Sequence, residues 1–126
     1  MDWNPSPSEL AAQWISEQIA YGKGKENPPA IDRVIQMGLD NPRSLWPFIL
    51  EVASQTDDHD TLEILGAGLL EDLGRGLGAE YFDRIEVQYR RSPTFREALS
   101  HVWIGGGDRH LVPLYSKLGC QIIGGR

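Results

Sequence analysis

Apolar residues recur along most of this chain at spacings of three and four, the period of an amphipathic helix. The clearest stretch is 62–73, where Leu62, Leu65, Gly66, Leu69, Leu70 and Leu73 fall on one helical face. Before it come Ala11, Trp14, Ile15 and Ile19, with Leu10 beside them, and then Ile31, Val34, Ile35, Gly38 and Leu39. Leu45, Trp46, Phe48, Ile49, Val52 and Ala53 make a third segment that is apolar nearly all round, which predicts a largely buried helix. After it, Tyr81, Phe82, Ile85 and Tyr89, and then Phe95, Leu99, Val102 and Trp103, repeat the helical stripe. Sustained period-two alternation and Asn-Gly turns are missing, so no strand is predicted.

Punctuation between these stripes sets the boundaries. Ser6-Pro7-Ser8-Glu9 is a capping box with proline at the first helical position. Residues 21–29 form a polar connector, and a second helix follows over about 30–40. Asn41-Pro42 or Ser44 opens the third; the later start is preferred because it leaves Pro47 in the first turn, where no intrahelical donor is needed. Asp57, Asp58 and Asp60 sit where the next helix begins, suited to its free N–H groups and positive end. Gly74 reads as the C-cap of that helix, and Gly74, Gly76 and Gly78 as a hinge before a fifth helix over about 79–91. Ser92-Pro93 starts a sixth. Gly105-Gly106-Gly107 is a break, and a short last helix runs from Asp108 or Pro113 to Leu118, leaving 119–126 frayed or docked. The expected fold is all-α: a compact bundle or short stack of αα-hairpins with six to seven helices. It forms a single domain over 1–126, whose ends, 1–5 and 119–126, are candidates for flexibility.

Two glycines inside the central helix each cost about 1 kcal/mol relative to alanine. That is tolerable where a second helix approaches closely, so Gly66 and Gly68 are expected to be close-contact positions. Glu71 and Asp72 are expected to anchor arginines, Arg75, Arg84 or Arg90 being the candidates, and Trp103 to be a core anchor.

The motif order over the centre carries a resemblance. Gly66-Ala67-Gly68-Leu69-Leu70-Glu71-Asp72-Leu73 is followed by Phe82-Asp83-Arg84-Ile85-Glu86, then Arg90-Arg91-Ser92-Pro93-Thr94-Phe95-Arg96, and finally Leu99-Ser100-His101-Val102-Trp103. This resembles a bacterial family of short all-helical proteins catalogued as a domain of unknown function, over about residues 42–103. The resemblance implies a helical fold and a bacterial or phage setting, and brings no activity with it. The tail after Gly105 departs from the family's short ending.

Charge adds one asymmetry. Residues 1–80 hold 14 acids against 5 bases, whereas 81–126 hold 4 against 7; within 44–83 there are 9 acids and one base. Such a balance disfavours direct nucleic-acid binding and suits a basic protein partner. The single Cys120 excludes an internal disulfide, and no apolar run is long enough for a bilayer, so a cytoplasmic setting is expected.

Chemistry is sparse by comparison. Asp57-Asp58-His59-Asp60 has neither calcium-loop spacing nor side chains pointing one way, since adjacent helical residues diverge by about 100°. His59, His101 and His110 lack zinc-motif spacing, and His101 reads as a surface partner of Glu97 four residues earlier. The glycine-rich stretch before Asp108 lacks the Lys-Ser/Thr of a phosphate loop. No catalytic, cofactor or metal residues are therefore assigned. The reading is a non-catalytic binding protein, an inhibitor or immunity-type protein that neutralises a basic or nucleic-acid-handling partner. Its candidate contact residues are Asp57, Asp58, Asp60, Glu63, Arg109 and His110. A small enzyme using Glu71 or Asp72, and a structural or adaptor subunit, are the alternatives; a homodimer stays open.

Overall fold

The computed structural model describes residues 3–21 and 28–122; the polar connector 22–27 and both extreme ends, 1–2 and 123–126, lie outside it. The capping box forms as its spacing requires. Glu9 accepts from the Ser6 N–H at 2.9 Å, Ser6 Oγ accepts from the Glu9 N–H at 3.1 Å, and α1 runs over Pro7–Tyr21. Helix α2, Pro29–Asp40, has no side-chain cap from its own flank. Instead Glu17 of α1 reaches across to accept from the N–H groups of Ala30 and Ile31 at 3.0 and 2.9 Å. A 3-10 turn at Pro42–Ser44 leads into α3, Leu45–Gln55, so the later start holds and Pro47 sits in the first turn. Leu45, Phe48, Ile49, Val52 and Ala53 are all buried, with α1 packed along α3 and Trp14 edge-on to Phe48.

The predicted hinge is absent. Helix α4, His59–Ile64, passes through a π-helical stretch at Leu65–Leu70 directly into α5, Glu71–Arg91. The Glu71 N–H reaches the Gly66 carbonyl five residues back, the signature of π geometry. A glycine C-cap needs a left-handed residue, and Gly119 is the one described glycine with positive φ. Leu73, Tyr81 and Ile85 hold α5 to the core, and that packing overrides three interior glycines at about 1 kcal/mol each. Gly78 has a reason of its own, because a Cβ there would stand 2.6 Å from Leu111 of the tail.

Ser92 caps α6, Pro93–Leu99, accepting from the Phe95 N–H at 3.1 Å. Phe95 is fully buried and Trp46 lies edge-on between it and Tyr81. Beyond α6 the structure departs from the expectation of no strands. Residues Trp103–Ile104 (β1) pair in parallel with Gln121–Ile122 (β2), the crossover being a 3-10 turn at Gly106–Leu111, a short α7 at Val112–Tyr115 and a second 3-10 turn at Ser116–Leu118. Two-residue strands are too short to show a period in sequence. They form because the tail docks: Leu111, Tyr115, Leu118 and Cys120 join the common core, and Tyr115 donates to the Gly78 carbonyl. The fold is all-α, with this one small pairing added.

Candidate functional site

The chemistry-bearing side chains gather where the start of α4, the end of α6 and β1 meet. The local sequence builds each part. Asp58 is the N-cap of α4, its carboxylate accepting from Thr61 N–H at 3.0 Å and Thr61 Oγ1 at 2.7 Å. These bonds favour the ionised form and hold the Asp58 carboxyl below its ordinary pKa. They also orient the next residue, His59, outward. At the other side Glu97 and His101 lie one turn apart at the end of α6, where the Ser100 hydroxyl donates back to the Glu97 carbonyl at 2.6 Å.

Gly66 brings the two sides together. A Cβ on it would stand 1.8 Å from the Ala98 carbonyl oxygen and 3.2 Å from His101 Cβ. Only a bare Cα lets the helix of His59 and Glu63 lie this close to the turn of Glu97 and His101. Gly68, by contrast, has open space at the Cβ position, so it is not the close-contact residue its spacing suggests.

Across this contact His59 Nδ1 is 3.0 Å from the Glu97 carboxylate, and His59 Nε2 is 4.0 Å from that of Glu63. The His59 and His101 rings meet edge to face with centroids 5.6 Å apart. One ligand-type atom each from His59, Glu97 and His101 lies within 4.8 Å of the others. His101 Nε2 is shut off from solvent with no hydrogen-bond partner among the described residues, a state that costs a buried polar group about 1–3 kcal/mol. The positive end of the helix works against a cation here, and Asp58, Asp60, Glu63 and Glu97 offset it. Beside the cluster is a cleft of about 380 Å³ lined by Glu63, Ala67, His101, Trp103 and Gln121.

Trp103 is the main departure from the sequence reading: its side chain is 48% exposed at the cleft rather than anchored in the core. The β pairing explains this, since alternation along β1 turns Ile104 inward and Trp103 out. The two acids of the central helix have separate roles. Asp72 pairs with Arg75 at 3.3 Å on the surface. Glu71, with no arginine bridge among the described residues, is half-buried; burial pushes its pKa up, opposed by Arg75 and by the Trp103 N–H. Arg84 lies over the Tyr81 ring and Arg90 pairs with Glu86, so neither reaches Glu71.

Of the other predicted contact residues, Asp57 and Asp60 are exposed within two residues of His59, Asp57 lining a separate cleft with Arg91 and Thr94. Arg109 and His110 are exposed on the 3-10 turn of the tail, and no hydrogen bond or ion pair joins them to the α4 acids among the described residues. Sequence reasoning finds the Glu97–His101 spacing and misses His59, which is 38 residues away along the chain and reaches them only through the Gly66 contact. On a different face, Ile35 and Leu39 of α2 stand largely exposed beside an apolar groove of about 290 Å³, closed at its rim by Asp72 and Arg75.

No helix among the described residues is long and apolar enough to cross a membrane. Neither a curated protein nor a solved structure matches the chain. A family model does match, over residues 18–110, covering α2 to α6 and the whole of the site, and the chain belongs to that family, described as "Family of unknown function (DUF6869)".

Proposed function

We propose that this is a non-catalytic binding protein that neutralises a basic protein partner, as an inhibitor or immunity-type protein of a bacterium or phage does. The observation that carries the reading is a half-exposed tryptophan in a cleft shared with Glu63, a carboxylate with no Lys or Arg bridge among the described residues. Three surface acids elsewhere pair with arginines: Glu80 with Arg43 at 2.7 Å, Asp72 with Arg75, and Glu86 with Arg90 at 3.4 Å. Glu97 likewise has no Lys or Arg bridge among the described residues, the basic group that Glu63 and Glu97 both meet is His59, and Asp57 and Asp60 lie within two residues of it in sequence. An aromatic anchor surrounded by charge is the usual make-up of a binding hot spot, and the uncancelled negative field steers a basic partner. The same reading sets the protein in the reducing cytoplasm, with Cys120 kept as a buried thiol whose pKa is pushed up to about 12.

Asp58 is excluded from the test because it caps α4. Affinity capture from lysate of the source cell, compared between the wild-type chain, Trp103→Ala and the double variant Asp57→Lys/Asp60→Lys, decides the matter. One basic protein retained in stoichiometric amount by the wild type and lost by both variants is expected. Retention unchanged in both variants, each folded by circular dichroism, removes this face from the reading.

A further inference from the structure

We propose that His59, Glu97 and His101 form a binding site for a divalent transition-metal ion of the zinc type. Imidazole and carboxylate ligands suit zinc, nickel, copper and ferrous iron and disfavour the all-oxygen coordination of calcium or magnesium. Three features carry the assignment. The donor atoms come from two separate segments yet lie within 4.8 Å of one another. Ligands of one tetrahedral zinc with bonds of about 2.0–2.1 Å stand roughly 3.3 Å apart, and the His59–Glu97 distance is already 3.0 Å. His59 is 66% exposed, so its ring is free to turn through the remaining distance.

The second feature is the buried His101 Nε2, a potential ligand atom held out of water with no hydrogen-bond partner among the described residues. A metal ion satisfies it directly. The third is the way the site is assembled. Gly66, through its contact with the Ala98 carbonyl, sets the spacing of the two segments. The Ser100 hydroxyl and the Ser92 cap fix the short helix that presents Glu97 and His101. Three protein ligands leave a coordination position of a tetrahedral ion open. His101 also lines the cleft of Trp103 and Gln121, so water or a donor side chain of a partner is a suitable fourth ligand.

This inference goes beyond the partner-binding reading and is tested on the purified chain alone, so failure to capture a partner leaves it standing. Zinc chloride is titrated into metal-free protein in competition with a chromophoric chelator. One saturable site per chain is expected, weakened at least about tenfold by His101→Ala and by Glu97→Gln separately, the lower end of what disturbing a metal shell costs. His110→Ala, outside the cluster, should leave affinity unchanged. Cobalt(II) supplies the second measurement: bound to the wild type it should give intensified visible bands that His101→Ala abolishes. Since bound metal stabilises only the folded form, zinc should raise Tm in the wild type and not in His59→Ala, a variant at an exposed position. Absence of saturable zinc binding, or binding that His101→Ala and Glu97→Gln leave intact, overturns the assignment.

Discussion

At the scale of single residues, two glycines two positions apart have opposite meanings. Gly66 and Gly68 look alike in sequence, both small and both on the central helix. Only Gly66 meets a neighbour, and that neighbour is a backbone carbonyl that cannot rotate away. Gly66→Ala must therefore push α6 off the central helix, an overpacking cost of about 3 kcal/mol. Gly68→Ala adds a methyl to open space and removes a flexible residue from a helix, which should stabilise by about 0.5–1 kcal/mol. Urea denaturation midpoints of the two variants should move in opposite directions. A Gly66→Ala protein as stable as the wild type would show that α6 is not held by this contact.

At the scale of elements, one glycine of α5, Gly78, is explained by the tail rather than by a hinge. Gly78 leaves room for Leu111, and its carbonyl takes a second hydrogen bond from buried Tyr115, while Phe82 stacks edge-on against the same ring at 5.2 Å. Tyr115→Phe keeps the ring contact and loses only the hydroxyl, so it should cost about 1 kcal/mol by thermal or chemical denaturation; a neutral result would mean that the bond contributes nothing to tail docking. This element also marks the boundary of what sequence can disclose. Helix starts were legible where capping is local: Ser6 with Glu9 and Ser92 with Phe95 each act within one turn. The buried face of α3 was legible because its period is local too. The continuity of α4 into α5 was not, because Gly74 and Gly78 are tolerated by packing from distant residues. Nor was the exposure of Trp103, which follows from a strand pairing 18 residues away. Of the candidate site, the Glu97–His101 step was visible and the place of His59 was not, since no local rule relates residue 59 to residue 97.

At the scale of the whole molecule, charge and core are distributed differently. The formal charge of −6 gathers on the α4 side, while the core is a single cluster that runs from Leu10 of α1 to Cys120 at the end of the tail. Leu111, Tyr115 and Leu118 belong to that cluster as fully as Phe48 or Leu62. A tail that merely leaned on the bundle would melt first, whereas one that completes the core should unfold with it. The tryptophans allow the distinction: Trp14 and Trp46 report α1 and α3, and Trp103 reports the β pairing with the tail. With Trp3, Trp14 and Trp46 replaced by phenylalanine, the fluorescence of Trp103 in β1 can be followed against far-ultraviolet circular dichroism during urea unfolding. A core of this continuity predicts coincident transitions with one midpoint, as two-state unfolding of a small domain requires. An earlier fluorescence transition would make the tail a separately melting unit, and the surface built on Trp103 would then open at lower cost than the helices that carry its acids.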